Sequence, residues 1–157
     1  MISTPPPAIA SPALSHVMHS FRFDIAAPLA RAAPLFGPDG ERAWGGPTWQ
    51  PSFLFPEHAQ DVEGAVFTVP HGDGTAVWVN TIFDLAGGHM QYVAFIPSAM
   101  VTVVDVRLSG NAGVTTADVT YTRTALDPAM NDKVTALGES DAASGPEWSS
   151  AIADALK

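Results

Sequence analysis

The second half of the sequence alternates strand-like segments with short turns, and this regularity constrains the fold more than any other feature. From residue 65 onward the segments AVFTVP, TAVWVNTIFDL, HMQYVAFI, VTVVDVRL and VTTADVTYTRTAL are joined by HGDG, AGG, PSA and SGNAG. Turns of this length and composition connect antiparallel neighbours. The sequence therefore predicts an antiparallel meander, which the short strand SFLFP precedes.

The segment before the meander predicts one further strand and two short helices. In HVMHSFRFDI a mostly apolar set of side chains alternates with a polar set, which is typical of a half-buried strand. Pro28 then begins a helical segment that Pro34 limits to a turn or two, and a second helical turn is predicted over residues 39–44.

The end of the chain predicts helix. Pro128 ends the last strand, and a helix is predicted to begin over residues 129–137. Ser144 and Glu147 match a capping box ahead of EWSSAIADALK, whose apolar side chains recur every four residues.

These elements predict an α+β fold. A long C-terminal helix is the only element able to cover the apolar face of the meander. We expect a curved seven-stranded antiparallel sheet wrapped around that helix, with two short helices after strand 1. Residues 15–157 form the single predicted domain, and residues 1–14, with three consecutive prolines, are predicted to be a disordered leader. A translation start at Met18 would explain the leader.

Charge and composition exclude several classes of partner. Seven basic and sixteen acidic residues give a net charge of −9, which repels nucleic acid and anionic lipid. The absence of cysteine excludes disulfides and thiolate sites. No apolar run is long enough for a membrane span, and the leader lacks the pattern of a secretory signal, so we expect a cytoplasmic location.

The stretch RAWGGPTWQP places Trp44 and Trp49 on a loop, because two glycines and two prolines exclude a helix or a central strand. One interpretation is that both rings border a ligand site. The other is that they plug the open end of the core, since aromatic rings bury a large area without binding anything.

Two polar side chains are predicted to point toward the helix. Arg123 shares a face of the last strand with Tyr121, and His19 shares a face of the first strand with apolar residues only. A buried guanidinium needs a carboxylate, several carbonyls or an anionic ligand group as its partner. The alternative is that Arg123 extends to solvent and His19 bonds to a backbone group.

The middle strands supply the other candidate cavity residues. Both faces of the fourth strand carry apolar side chains, and we predict the face with Val77, Val79, Thr81 and Phe83 to be the inner one. On the fifth and sixth strands the predicted inner faces contain Tyr92 and Thr102. Their hydroxyls, with that of Tyr121, would be available to orient a ligand.

Metal and nucleophile sites are not expected. His16 and His19 point to opposite faces of one strand, and the other histidines, His58, His71 and His89, lack a companion carboxylate at ligand spacing. The sequence contains none of the common nucleotide-binding or nucleophile motifs. We expect neither a metal nor a cofactor, and we expect Asp61 and Glu63 to be solvated.

The order of elements resembles the helix-grip fold of the START-like, or Bet v 1-like, superfamily (SRPBCC), which includes polyketide cyclases and lipid-transfer proteins. The W-x-x-x-x-W-x-P loop and the segments TAVWVNTIFD, TTADVTYTRTAL and EWSSAIADAL are similar to stretches of bacterial members, and the resemblance spans about Ser15 to Lys157. It implies a cavity between the sheet and the C-terminal helix. It also implies that the first and last strands are neighbours, which would place His19 near Tyr121 or Arg123.

Three functions remain open at this stage. The first is binding or transport of a hydrophobic small molecule, such as a lipid, polyketide or aromatic metabolite, in the cavity. The second is an enzyme of the polyketide cyclase or aromatase type, which requires His19, Tyr92, Tyr121 and Arg123 to converge. The third is a protein-interaction or stress role without a ligand. For all three functions, the sequence is compatible with a monomer and with a homodimer. The candidate cavity residues are His19, Trp44, Trp49, Thr81, Tyr92, Thr102, Tyr121, Arg123 and Trp148.

Overall fold

The structure, a computed structural model, describes residues 12–72 and 74–157. Most of the predicted leader lies outside the described residues. The described chain forms an antiparallel sheet of seven strands in the order β1-β7-β6-β5-β4-β3-β2. The strands are β1 (His16–Ile25), β2 (Ser52–Phe55), β3 (Val66–His71), β4 (Gly74–Asp84), β5 (His89–Ile96), β6 (Met100–Asn111) and β7 (Val114–Ala125).

Helices occur where the sequence predicts them. After β1 come α1 (Leu29–Ala32) and two 3₁₀ turns, Ala33–Phe36 and Gly40–Ala43. The C-terminal region contains α2 (Asn131–Ala142) and α3 (Gly145–Ala155), and α2 follows the 3₁₀ turn Pro128–Met130. Because α2 and α3 pack on the sheet at β1 and β7, the α+β helix-grip prediction is confirmed.

The C-terminal helix is divided into two segments, and the predicted capping box is wrong. Ser144 has helical backbone angles, and its hydroxyl donates to the carbonyl oxygen of Ser140 at 2.9 Å instead of capping α3. Pro146 lies in the first turn of α3, where its missing N–H costs nothing. The same residue could not continue α2, because it would leave a carbonyl without a donor.

The first and last strands are neighbours, as the resemblance implies. In the register of β1 and β7, His19 lies opposite Tyr121 and Val17 lies opposite Arg123. The ring of His19 packs against α2, where a Cβ on Gly138 would lie 2.8 Å from His19 Cδ2. Glycine at this position lets α2 approach β1 closely.

The prediction for β4 is wrong at three of its four residues. A bulge between Asn80 and Ile82 shifts the register with β5 and leaves Thr81 exposed on the outer face. Before the bulge Trp78 and Asn80 point inward, so Val77 and Val79 face outward, and after it Phe83 points inward as predicted. Alternation alone could not choose the face, because both sets are apolar and the bulge exchanges them midway.

The inner faces of β5 and β6 are the predicted ones. Met90, Tyr92 and Ala94 of β5 are buried, and alternate residues of β6 from Met100 to Leu108 are buried as well. These side chains, with those of β1 and β7, form the core beneath α3 and the short helices.

An ion pair joins the sheet to α2. Arg123 of β7 donates from Nε and Nη2 to the two carboxylate oxygens of Asp141, at 2.6 and 2.8 Å. Its Nη1 also donates to Thr102 Oγ1 at 3.1 Å, and the guanidinium lies 5.1 Å from the centre of the Tyr121 ring. Arg123 therefore points inward with a carboxylate partner, as one of the two interpretations required.

Removing the charge of Asp141 should destabilise the protein strongly. The side chains of Arg123 and Asp141 are only 15% and 10% exposed, so Asp141→Asn leaves a guanidinium buried beside a neutral amide. We expect the free energy of unfolding in urea to fall by about 3 kcal/mol or more. Asp118→Asn is the matched control, because Asp118 pairs with Arg22 on an exposed face and should change stability little. Equal losses in the two variants would contradict a structural role for the buried pair.

Candidate functional site

A cavity lies between the inner face of the sheet, the loop after β1 and α3. It has two adjoining chambers that share five residues, Glu41, Trp49, Trp78, Tyr121 and Trp148, which we call the shared wall. The inner chamber has a volume of about 50 Å³, and the outer chamber has a volume of about 290 Å³. Four more residues line the inner chamber: Pro38, Phe67, Tyr92 and Val104. The outer chamber is lined in addition by Val69, Pro70, His71, Ala76, Ala94, Ile96, Thr102, Arg123 and Leu137.

The loop of residues 37–51 carries two tryptophans, and each donates a hydrogen bond to a nearby backbone carbonyl. Trp44 Nε1 donates to the carbonyl oxygen of Leu35 at 2.7 Å, and Trp49 Nε1 donates to that of Pro38 at 2.9 Å. Gly45 is required for this arrangement, because a Cβ there would lie 2.8 Å from Trp49 Cβ. Both indole N–H groups are thus engaged, and only the rings remain available to a ligand.

The two tryptophans differ in where their rings lie. Trp44 packs on the core, with its ring centre 4.9 Å from that of Trp148. Trp49 belongs to the shared wall and meets Trp78 in a perpendicular arrangement at 5.5 Å. Trp44 thus fills the end of the hydrophobic core, whereas Trp49 borders the cavity.

Glu41 is the acidic residue of the shared wall. It lies on the 3₁₀ turn Gly40–Ala43, and Asp61 fixes that turn by accepting hydrogen bonds from the backbone N–H groups of Asp39 and Gly40, at 2.8 and 2.9 Å. The expectation that Asp61 is solvated is therefore wrong. Burial, and to a smaller extent the charge of Asp61, raise the pKa of Glu41 to about 8.

The two tyrosines of the cavity have different hydrogen-bond states. The Tyr92 hydroxyl donates to the carbonyl oxygen of Phe36, so it is already engaged. In the described part of the chain no hydrogen bond engages the Tyr121 hydroxyl. Burial, followed by the charges of Glu41 and Asp141, raises the pKa of Tyr121, and Arg123 acts in the opposite direction. Tyr121 therefore faces the cavity as a neutral donor.

Trp78 contributes a second polar group. Its Nε1 is buried and has no hydrogen-bond partner among the described residues, and the same is true of Asn80 Oδ1. Asn80 donates its amide to the carbonyl oxygen of Val62 at 3.2 Å and does not line either chamber. An unpaired buried donor is costly, and the residue that carries it lines both chambers.

The predicted cavity residues are only partly brought together. Trp49, Tyr92, Thr102, Tyr121, Arg123 and Trp148 line the chambers, whereas Trp44 packs beside them, His19 packs against Gly138, and Thr81 lies on the outer face, where it donates to Gln91. The convergence that the cyclase hypothesis required is absent, because Arg123 is engaged by Asp141, Tyr92 by Phe36, and His19 lies outside the lining.

Sequence reasoning missed Glu41 and Asp141. A weak signal existed for Glu41, because it lies three residues before Trp44 and so shares one face of a helical turn with it. For Asp141 the signal was better: Val134, Gly138 and Asp141 follow one another at spacings of four and three, which marks one buried face of a helix. A buried Arg123 needs a carboxylate partner, and the buried face of this helix is where that partner would be expected.

The described residues form neither a candidate metal centre nor a helix that could cross a membrane. These residues contain no group of three or more side chains that could hold a metal ion. The helices in this part of the chain are too short or too polar to cross a lipid bilayer.

Solved structures similar to this chain cover most of its length. Ara h 8.0201 superposes with a TM-score of 0.66 at 13% identity, covering 90% of this chain and 99% of that one. Norcoclaurine synthase from Thalictrum flavum superposes with a TM-score of 0.62 at 7% identity, covering 99% of this chain and 98% of that one. DynU16, a protein in the dynemicin biosynthetic locus, gives 0.58 at 16% identity over 88% of this chain and 46% of its own.

These likenesses define the class of fold. The chain has the Bet v 1-like helix-grip fold of the SRPBCC proteins, as the sequence resemblance indicated. Neither protein-family models nor curated proteins match its sequence. The structural likeness is therefore evidence of fold, and function must be argued from the residues of the site.

Stability should depend on pH through Glu41. The folded protein holds the Glu41 proton up to about pH 8, whereas the unfolded chain releases it near pH 4.5. Between these values the folded state binds more protons, so the free energy of unfolding contributed by this group falls as pH rises. Between pH 5 and pH 9, we expect the free energy of unfolding of Glu41→Gln to fall by about 2 to 4 kcal/mol less than that of the wild type.

Urea unfolding of the wild type and the variant across this range measures the effect. Glu63→Gln serves as the control, because Glu63 is exposed and the substitution removes the same charge. Parallel pH curves for wild type and Glu41→Gln would show that Glu41 is an ordinary solvated carboxyl.

Proposed function

We propose that this protein binds a compact, mainly apolar small molecule with an aromatic or cyclic body. The observation that carries the proposal is the shared wall, in which four aromatic side chains and one acidic side chain border both chambers. The outer chamber, at about 290 Å³, is close to the lower end of the range for ligand sites. This volume favours a compact ring system over a long acyl chain.

The distribution of polar groups supports the same proposal. Ligand sites are typically apolar enclosures with a few polar groups that fix orientation. In the described part of the chain, no hydrogen bond engages the Tyr121 hydroxyl, the buried Trp78 N–H or the Glu41 carboxyl. The structural neighbour norcoclaurine synthase has been solved in complex with dopamine and hydroxybenzaldehyde, two small aromatic molecules.

Binding of a neutral aromatic probe tests the proposal. N-phenyl-1-naphthylamine should gain fluorescence with the wild type, and Ala94→Phe should weaken its binding at least tenfold, because Ala94 lines the outer chamber. Val93→Phe is the matched control, since it adds the same ring on the outer face of the same strand and should bind as the wild type does. Dye binding that Ala94→Phe leaves unchanged would contradict a ligand site in this cavity.

A second candidate function is an enzyme that transfers a proton. The specific observation in its favour is Glu41, because a general acid or base works best when its pKa lies near the working pH, and that of Glu41 is raised to about 8. Tyr121 shares the same wall and could donate a hydrogen bond to a developing oxyanion. This arrangement replaces the one with His19 and Arg123.

Deuterium exchange at the carbon next to the carbonyl of acetophenone tests this second function. In D₂O the wild type should exchange faster than buffer, with a rate that rises to a plateau above about pH 8 as Glu41 loses its proton. Glu41→Gln should exchange at the buffer rate, while Glu63→Gln should behave as the wild type. Exchange that survives in Glu41→Gln would exclude Glu41 as the base.

A further inference from the structure

Glu41 is a partly buried acidic side chain that four aromatic rings of the shared wall accompany. Resting on the proposed function, we propose that the ligand carries an ammonium group, which binds between the Glu41 carboxylate and the aromatic rings of the shared wall. The apolar body of the ligand then occupies the outer chamber.

The aromatic rings favour a cation. The face of an indole or phenol ring carries negative charge and attracts ammonium groups, and indole does so most strongly. Three of the four rings in the shared wall are indoles, and those of Trp49 and Trp78 stand at 88° to each other. These two rings meet edge to face at 5.5 Å, and both line the two chambers.

The charges around Glu41 also favour a cation. Asp61 lies near enough for its charge to raise the pKa of Glu41, which means that the potential at this carboxyl is negative. The cation of the outer chamber, Arg123, has its charge matched by Asp141 at 2.6 Å. A neutral head group would gain no attraction from this negative potential, and an anionic head group would be repelled by it.

Apart from Arg123, the other titratable groups that line the two chambers stay neutral at the pH of interest. Burial raises the pKa of Tyr92 and of Tyr121, so both keep their protons. Burial, with smaller effects of Lys133 and Arg123, lowers the pKa of His71 at the outer chamber, so this imidazole is neutral above pH 7. Glu41 is therefore the group whose charge a bound ammonium would change.

The proton on Glu41 is only a small obstacle. With a pKa of about 8, deprotonation costs about a factor of ten in affinity at pH 7 and about a factor of two at pH 8. A charge-assisted hydrogen bond in an enclosed site exceeds this cost. The inner chamber, at about 50 Å³, adjoins Glu41 and has room for a head group of a few atoms.

Three probes with one phenylethyl body test the inference at pH 8. 2-Phenylethylamine is a cation, 2-phenylethanol is neutral, and 3-phenylpropanoate is an anion. Displacement of N-phenyl-1-naphthylamine, or calorimetry, gives the three dissociation constants for the wild type, Glu41→Gln and Glu63→Gln. We expect the amine to bind the wild type at least tenfold more tightly than the alcohol, with the anion weakest.

Glu41→Gln should bring the amine to within about threefold of the alcohol, while Glu63→Gln should keep the wild-type preference. Calorimetry at pH 7 in two buffers of different ionisation enthalpy should also show release of a proton when the amine binds. If the alcohol or the anion binds as tightly as the amine, or if only the dye binds, the inference is wrong and the proposed function stands. If neither the probes nor the dye bind, the proposed function is wrong as well.

Discussion

The geometry of the cavity depends on the buried ion pair between Arg123 and Asp141. Two charges removed from water must remain paired, so the pair fixes the distance between β7 and α2. Gly138 then allows the same helix to lie directly on β1. The ion pair and Gly138 hold α2 at one end of the sheet. The chain then begins a second helix, α3, near Pro146, and Trp148 of α3 covers the middle of the inner face of the sheet. The cavity is the part of the inner face that these contacts leave open.

The charged groups of the cavity are not evenly distributed along it. At the outer end the positive charge is already neutralised by Asp141, and His71 is neutral. In the wall that both chambers share, Glu41 lies among aromatic rings, and burial and the charge of Asp61 raise its pKa. In a low local dielectric, a charged group without a partner has the largest effect on the electrostatic potential of the cavity. In both proposed functions, binding and proton transfer, Glu41 is the residue through which the site would act.

The sequence predicts the sheet well, because alternation and Gly- or Pro-containing turns act locally. Alternation on β7 also places Arg123 on the inward face, and the structure decides for this interpretation over the one in which Arg123 extends to solvent. The sequence prediction fails at β4, where a bulge at Thr81 exchanges the faces, and at Ser144, whose hydroxyl donates to Ser140 and does not cap α3. Glu41 is missed for a different reason: its environment is made by Trp78, Tyr121 and Trp148, which are brought together only by the folded chain.

The account is tested most directly by the carboxyl ¹³C chemical shift of Glu41, followed by NMR as a function of pH in protein labelled at glutamate. The Glu41 resonance is assigned by its absence from the Glu41→Gln spectrum. A titration midpoint near 8 is the result that an enclosed, unpaired carboxyl predicts. A midpoint between 4 and 5 would show that Glu41 is solvated, and the proposals that rest on an enclosed acid in this cavity would fail.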